Sequence, residues 1–95
     1  MSFLDRFKRK KEDEASRLAR LLNTGRITEG KVLDVTLDER GHVIQILYSY
    51  VVAGVEYESA HELNADQATR EASYAAGARI VIRYDLQQPA NSVVV

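Results

Sequence analysis

Ile44-Gln45-Ile46-Leu47-Tyr48-Ser49-Tyr50-Val51-Val52-Ala53-Gly54-Val55-Glu56-Tyr57-Glu58-Ser59-Ala60-His61-Glu62-Leu63 is the stretch whose reading decides the fold. Ile44, Ile46, Tyr48, Tyr50 and Val52 fall on alternate positions, and a period of two belongs to a strand rather than a helix. Ala53-Gly54 then turns the chain. Beyond it Val55, Tyr57, Ser59, His61 and Leu63 take one side, and Glu56, Glu58 and Glu62 take the other. A two-residue hairpin sets Val52 opposite Val55, Tyr50 opposite Tyr57, Tyr48 opposite Ser59 and Ile44 opposite Leu63. Directly opposed residues lie on the same side of a sheet, so the two apolar faces coincide. A slip of one residue would turn both to solvent.

Working outward, an earlier strand places Leu33, Val35 and Leu37 on one face and Asp34, Thr36 and Asp38 on the other. The turn Asp38-Glu39-Arg40-Gly41 sets Leu37, Val35 and Leu33 opposite His42, Ile44 and Ile46. After the central hairpin, Asn64 to Gly77 reads as a short helix, with Asn64 as cap, Gln67 three residues on and Gly77 as its end. A fourth strand buries Ala78, Ile80, Ile82, Tyr84 and Leu86 and shows Arg79, Arg83 and Asp85. A turn over residues 87–91 leads to a last strand, Ser92 to Val95. Five short antiparallel strands with one crossover helix predict a mainly β fold, a small OB-like or SH3-like barrel.

In front stands a basic amphipathic segment, residues 1–25, separate from the β domain of residues 26–95. Ser2 with Asp5 reads as a capping box. Leu4, Phe7, Lys11, Leu18 and Leu22 recur at helical spacing, and Gly25 suits a left-handed C-cap. The apolar stripe is interrupted at Lys11–Glu14, which predicts a rear patch, Leu18/Leu21/Leu22, packed on the β unit. It leaves a front patch, Phe3/Leu4/Phe7, that need not reach it.

Ninety-five residues suit one domain. The chain holds no cysteine, which excludes disulfides and thiolate chemistry. No run approaches the roughly 18–20 apolar residues that span a bilayer. Met1 to Lys11 is too charged for the apolar centre of a signal peptide, so a cytoplasmic location is the expectation. A net charge of −1 hides an asymmetry. Through Arg26 eight basic residues meet four acidic ones, and from Ile27 onward five basic residues meet ten acidic ones. An anionic partner should therefore meet the front segment.

Phe3, Leu4, Phe7, Lys8, Arg9, Lys10 and Lys11 form the candidate contact. Two aromatics among basic residues suit the inner face of an anionic membrane, each Lys or Arg there contributing about 1 kcal/mol. The plainer reading, which comes first, is a solvated end or a helix pairing with its symmetry mate. Three other constellations are weighed and set aside. His42 and His61 do not assemble the three or four ligands of a metal site. Glu56, Glu58 and Glu62 sit on an exposed strand face without a cleft to separate their pKa values, and are expected to oppose Arg79 and Arg83 or to be solvated. Tyr48, Tyr50, Tyr57 and Tyr84 share the face of Ile44, Ile46, Ile80 and Ile82, which makes them core rather than a stacking platform for single strands. The expectation is a non-catalytic interaction domain without cofactor or metal. The alternative is an OB-like nucleic-acid-binding module using the basic segment, which the acidic body opposes. The protein partner is open. About 70 residues of β unit make a marginal core, so helix docking or homodimerisation is expected.

Three segments carry a family resemblance: Gly30-Lys31-Val32, the Y-x-Y-x-x-x-G-x-x-Y centre from Tyr48 to Tyr57, and Gly77-Ala78-Arg79-Ile80-Val81-Ile82-Arg83-Tyr84-Asp85 with Pro89. From about Thr28 to Val95 the chain resembles the bacterial domain-of-unknown-function family numbered 3592. Leu86 departs from the proline that family places after Tyr-Asp. The resemblance implies a small β domain, often held near a membrane by helices whose place a basic amphipathic segment takes here. It implies no activity and no site residues.

Overall fold

The computed structural model describes residues 13–95. Among them a helix, α1 (Glu14–Thr24), precedes β1 (Arg26–Leu37), β2 (Val43–Val52) and β3 (Val55–Glu62). A one-turn helix, α2 (Ala65–Ala68), and a 3-10 turn (Glu71–Tyr74) lead to β4 (Arg79–Tyr84) and β5 (Ser92–Val94). The strands form one antiparallel sheet in the order β3-β2-β1-β4-β5. It curls into a half-barrel around Val32, Ile46, Tyr48, Tyr50, Tyr74, Ile80, Ile82 and Val94.

The central hairpin forms in the expected register, with Val52 opposite Val55, Tyr50 opposite Tyr57 and Tyr48 opposite Ser59. The first hairpin differs. Its pairing is Val32 with Tyr48, Asp34 with Leu47, Val35 with Ile46 and Leu37 with Val43, two residues away from the register read in the sequence between Asp34 and Thr36 and one residue away on either side. Two bulges cause this. Leu33 is the extra residue on β1 and Ile44 the extra residue on β2, and each bulge hands the inward face to its neighbour. Val32 becomes fully buried, and Val43 packs against the core. Leu33 and Ile44, both expected inside, stand 37% and 46% exposed.

Gly30 sits in the interior, on β1 between its sheet partners Tyr50 and Ile80. A Cβ there would run into Ile82 Cδ1 and stand 2.8 Å from the Ser49 carbonyl oxygen. Glycine leaves bare backbone for the Ile82 side chain to pack against.

Three further expectations are corrected. Leu86 lies beyond the end of β4 and is 58% exposed. The segment from Asn64 is two short turns rather than one helix, since the backbone at Arg70 leaves helical geometry (φ −122°, ψ 33°). Gly25 closes α1 in extended rather than left-handed conformation (φ −68°, ψ 149°). Glycine is needed there for space: a Cβ would meet Leu21 O and approach Arg83 Cβ to 3.2 Å.

The described helix begins at Asp13, whose extended backbone and side chain, accepting from Ser16 N at 2.7 Å, make it the N-cap. It therefore does not run unbroken from a cap at Ser2, and the Ser2/Asp5 capping box lies outside the described residues. α1 packs against β4 and β5. Leu21 is buried and Leu18 half-buried, while Leu22 is 49% exposed. Arg17 ties the helix down, with Nη1 donating to Asn91 Oδ1 at 2.8 Å and to Ser92 O at 3.0 Å. Arg20 Nη1 meets Asp85 Oδ2 at 2.8 Å.

Candidate functional site

β3 and β5 are the outer strands of the sheet, and no strand pairing joins them. One side chain spans the gap between them. Gln67 Nε2 donates to Val94 O at 3.0 Å, and its Oε1 accepts from Asn64 N at 3.1 Å and from His61 Nε2 at 2.7 Å. A carbonyl requires a donor and a backbone N–H an acceptor, so both ends of the amide are assigned by chemistry. His61 must then carry its proton on Nε2. Gln67 is 2% exposed and has every polar atom partnered, as a buried amide in a low-dielectric setting requires. Its position comes from a capping box, in which Asn64 Oδ1 accepts from Gln67 N at 2.8 Å.

Beside this latch runs a groove of about 660 Å³. Its helix wall is one stripe of α1, namely Glu14, Arg17, Leu18 and Leu22. Ala60 to Leu63 of the β3 edge form the opposite wall, and Val93 to Val95 lie along the seam. The apolar lining is Leu18, Leu22, Leu63 and the valines, with Glu14, Glu62 and Asp66 carrying the negative charge. The Arg17 guanidinium holds the Glu14 carboxyl below its usual range. Arg70 lies 3.0 Å from Asp66, one turn away on the exposed side.

A second constellation joins the first hairpin to the 3-10 turn. Glu71 accepts from Val43 N at 2.7 Å through Oε2 and meets His42 Nδ1 at 2.8 Å through Oε1. It thereby satisfies a backbone donor beside the Ile44 bulge. The hydrogen bond to Glu71 raises the His42 pKa, and the same bond, followed by that from Val43 N, lowers that of Glu71. Both groups stand at the surface, and together they clasp the first hairpin to the 3-10 turn.

The tyrosines are core. Tyr48 and Tyr50 are buried, and Tyr50 stacks on Tyr48, Tyr57 and Tyr84 at centroid separations of 5.8, 5.6 and 6.4 Å. Tyr48 Oη bonds Ser92 Oγ at 2.6 Å, and Tyr50 Oη donates to Pro89 O. Burial pushes the Tyr50 phenol up.

Glu56, Glu58 and Glu62 point outward from β3, as expected, but Arg79 and Arg83 do not oppose them. β2 and β1 separate the two strands. Arg79 approaches Glu29 at 3.8 Å, and Arg83 Nη1 donates to Gly25 O at 3.1 Å. Phe3, Leu4, Phe7, Lys8, Arg9, Lys10 and Lys11, the candidate contact read from the sequence, lie outside the described residues. Among the described residues no group of three or more histidine, cysteine or carboxylate side chains is placed to hold a metal, and no helix is long and apolar enough to cross a membrane. Sequence reasoning missed the latch. Its one trace was the Asn64-to-Gln67 spacing, which announces a cap and says nothing of what the glutamine's amide reaches.

Residues 23–95 match the family described as a domain of unknown function, DUF3592. The chain belongs to this family. The match takes in the whole sheet, the latch and the end of α1 as far as Asn23–Thr24. No curated protein and no solved structure matches the chain.

Proposed function

We propose that this DUF3592 domain is a non-catalytic protein-interaction module whose binding surface is the outer face of β2 and β3. The observation that carries the reading is the composition of that face. Leu47 and Val51 are exposed there, beside the row Glu56, Glu58 and Glu62. Exposed apolar side chains framed by charge of one sign suit a protein partner bearing apolar and basic groups.

The strand order, with the helical crossover between β3 and β4, also supports an OB-like reading. In OB folds the strand 2–3 face and its adjoining loops take oligonucleotides. Here that face presents three glutamates, and Asp38, Glu39 and Arg40 form the adjoining loop. Phosphate is therefore repelled where such a fold would bind it. A peripheral role at the membrane, through Phe3 to Lys11, stays part of the proposal. It is tested by flotation on anionic vesicles with and without residues 1–11.

The main test compares the intact chain with Glu56→Lys/Glu58→Lys as bait in native lysate, alongside titration of both with single-stranded DNA. A partner held by the intact chain and lost by the variant is expected, with DNA affinity of the intact chain weaker than roughly 10⁻⁴ M at physiological salt. Micromolar DNA binding that falls steeply with salt would instead establish the nucleic-acid module.

A further inference from the structure

We propose that the β3 edge takes an extended basic strand of a partner protein, added antiparallel along Glu56, Glu58 and Ala60. Its lysines or arginines would lie on the outer face and its alternate, apolar residues on the inner one. The inference says how the interaction surface proposed above engages its partner, and it rests on that reading.

The first observation concerns backbone. β3 is an outermost strand of the sheet. Its hairpin with β2 closes at Val52 opposite Val55, and just past the strand Leu63 N donates to Ile44 O at 3.0 Å. Backbone groups alternate in direction along a strand. Val55, Tyr57, Ser59 and His61 therefore turn their N–H and C=O toward β2, while Glu56, Glu58 and Ala60 turn theirs away. Among the described residues nothing bonds those outward groups. The other edge is treated differently. The outward carbonyls of β5, Ser92 O and Val94 O, accept from Arg17 Nη1 and from Gln67 Nε2, both at 3.0 Å. Side chains occupy the β5 edge, and the β3 edge keeps a template for one more strand.

Charge selects the occupant. Glu56 and Glu58 stand exposed along the edge, with Glu62 beyond Ala60. A second copy paired through its own β3 would set these glutamates against their counterparts, and like charges directly opposed destabilise a sheet. Opposite charges stabilise it, so the edge admits a basic strand and rejects its own copy. Every pairing in this sheet is antiparallel, and the added strand continues that order.

The third observation is uncovered inner surface at the same edge. Val55 and Tyr57 face the core side, yet Val55 is 52% exposed and Tyr57 only half-buried. The apolar residues of an added strand would cover them. Farther along, Ala60 to Leu63 border the groove whose opposite wall is α1, which leaves room for the strand to run on.

The probe is the peptide Lys-Val-Lys-Val-Lys-Val-Lys, titrated into the ¹⁵N-labelled full chain. Opposed residues share a face, so its lysines meet the glutamates. In an antiparallel pair the lysine backbone groups are then the ones directed at the edge. Binding should slow hydrogen exchange at the Glu56, Glu58 and Ala60 amides by about tenfold or more. Affinity should fall in about 1 M NaCl, where charges are screened beyond about 3 Å. N-methylating the lysine backbone nitrogens should weaken binding by about tenfold or more, and N-methylating those of the valines should have little effect. The same peptide with glutamate in place of lysine should not bind. Absence of binding, binding that protects none of the three edge amides, or any other dependence on N-methylation would overturn the proposal. Protection that grows with protein concentration in the absence of peptide would overturn it in favour of a second copy. If strand addition fails while a lysate partner is still lost with Glu56→Lys/Glu58→Lys, the interaction module stands without it. If that partner is not found either, both fall.

Discussion

His42 and Glu71 each hold the other in its charged form. Glu71 raises the imidazole above its ordinary 6.5, and His42 with the Val43 N–H lowers the carboxyl below its ordinary 4.5. Stability contributed by His42 is therefore whole below about pH 6.5 and is lost as pH rises through the higher folded value. The share from Glu71 is whole above about pH 4.5 and is lost as pH falls through the lower folded value. Both contributions are complete between those limits. Thermal melts of the wild type and His42→Gln should differ most near about pH 5.5 and draw together as pH rises through the raised folded value of His42. A difference independent of pH would assign His42 a packing role instead. This pairing was illegible beforehand, because twenty-nine positions separate the two residues and neither belongs to a recognisable motif.

At the scale of elements, the central hairpin shows how local chemistry sets register. Ala53 and Gly54 have φ of 51° and 81°, the paired left-handed geometry whose twist matches that of the strands. An alanine adopts that conformation at a cost of roughly 1–2 kcal/mol. Asparagine tolerates it better, so Ala53→Asn should stabilise the domain by about 0.5–1 kcal/mol. The measurement is a urea midpoint that rises at unchanged slope, and an unchanged midpoint would mean that the turn is not strained. The first hairpin teaches the opposite lesson. Its sequence puts Val32 on the same alternation as Asp34 and Thr36, and Leu33, Val35 and Leu37 on the other. Only the second face looks buriable in isolation. The bulges at Leu33 and Ile44 combine parts of both, taking Val32 and Val35 inward on one strand and Val43 and Ile46 on the other.

For the molecule as a whole the decisive feature is the seam between β3 and β5. A half-barrel of this size would leave Val94 and the β3 edge open to water if nothing bridged them, and the side chain that does so is Gln67. Replacing it by leucine keeps most of the volume but strips partners from Val94 O, Asn64 N and His61 Nε2. Unsatisfied buried groups cost about 1–3 kcal/mol each. With partial relief by water, Gln67→Leu should destabilise by about 2–4 kcal/mol. Native-state hydrogen exchange should quicken most at Val95, whose N–H is bonded to Val81 O at 3.0 Å. A variant within about 0.5 kcal/mol of wild type would show that the seam closes without the latch.

The sequence alone determined that the fold is mainly β, with five strands, a crossover between the third and fourth, and tyrosines turned inward from a face of acids. Those features are written in short-range alternation and turn chemistry, which need nothing beyond neighbouring residues. Tertiary structure decided the bulges, the start of α1 at Asp13, the pairing of His42 with Glu71 and the closure of the seam by Gln67. Each of these depends on which of several locally acceptable choices lets distant backbone groups find partners once the sheet has curled. That competition is settled by packing and hydrogen-bond satisfaction across the whole domain, and no stretch of sequence taken by itself contains its outcome.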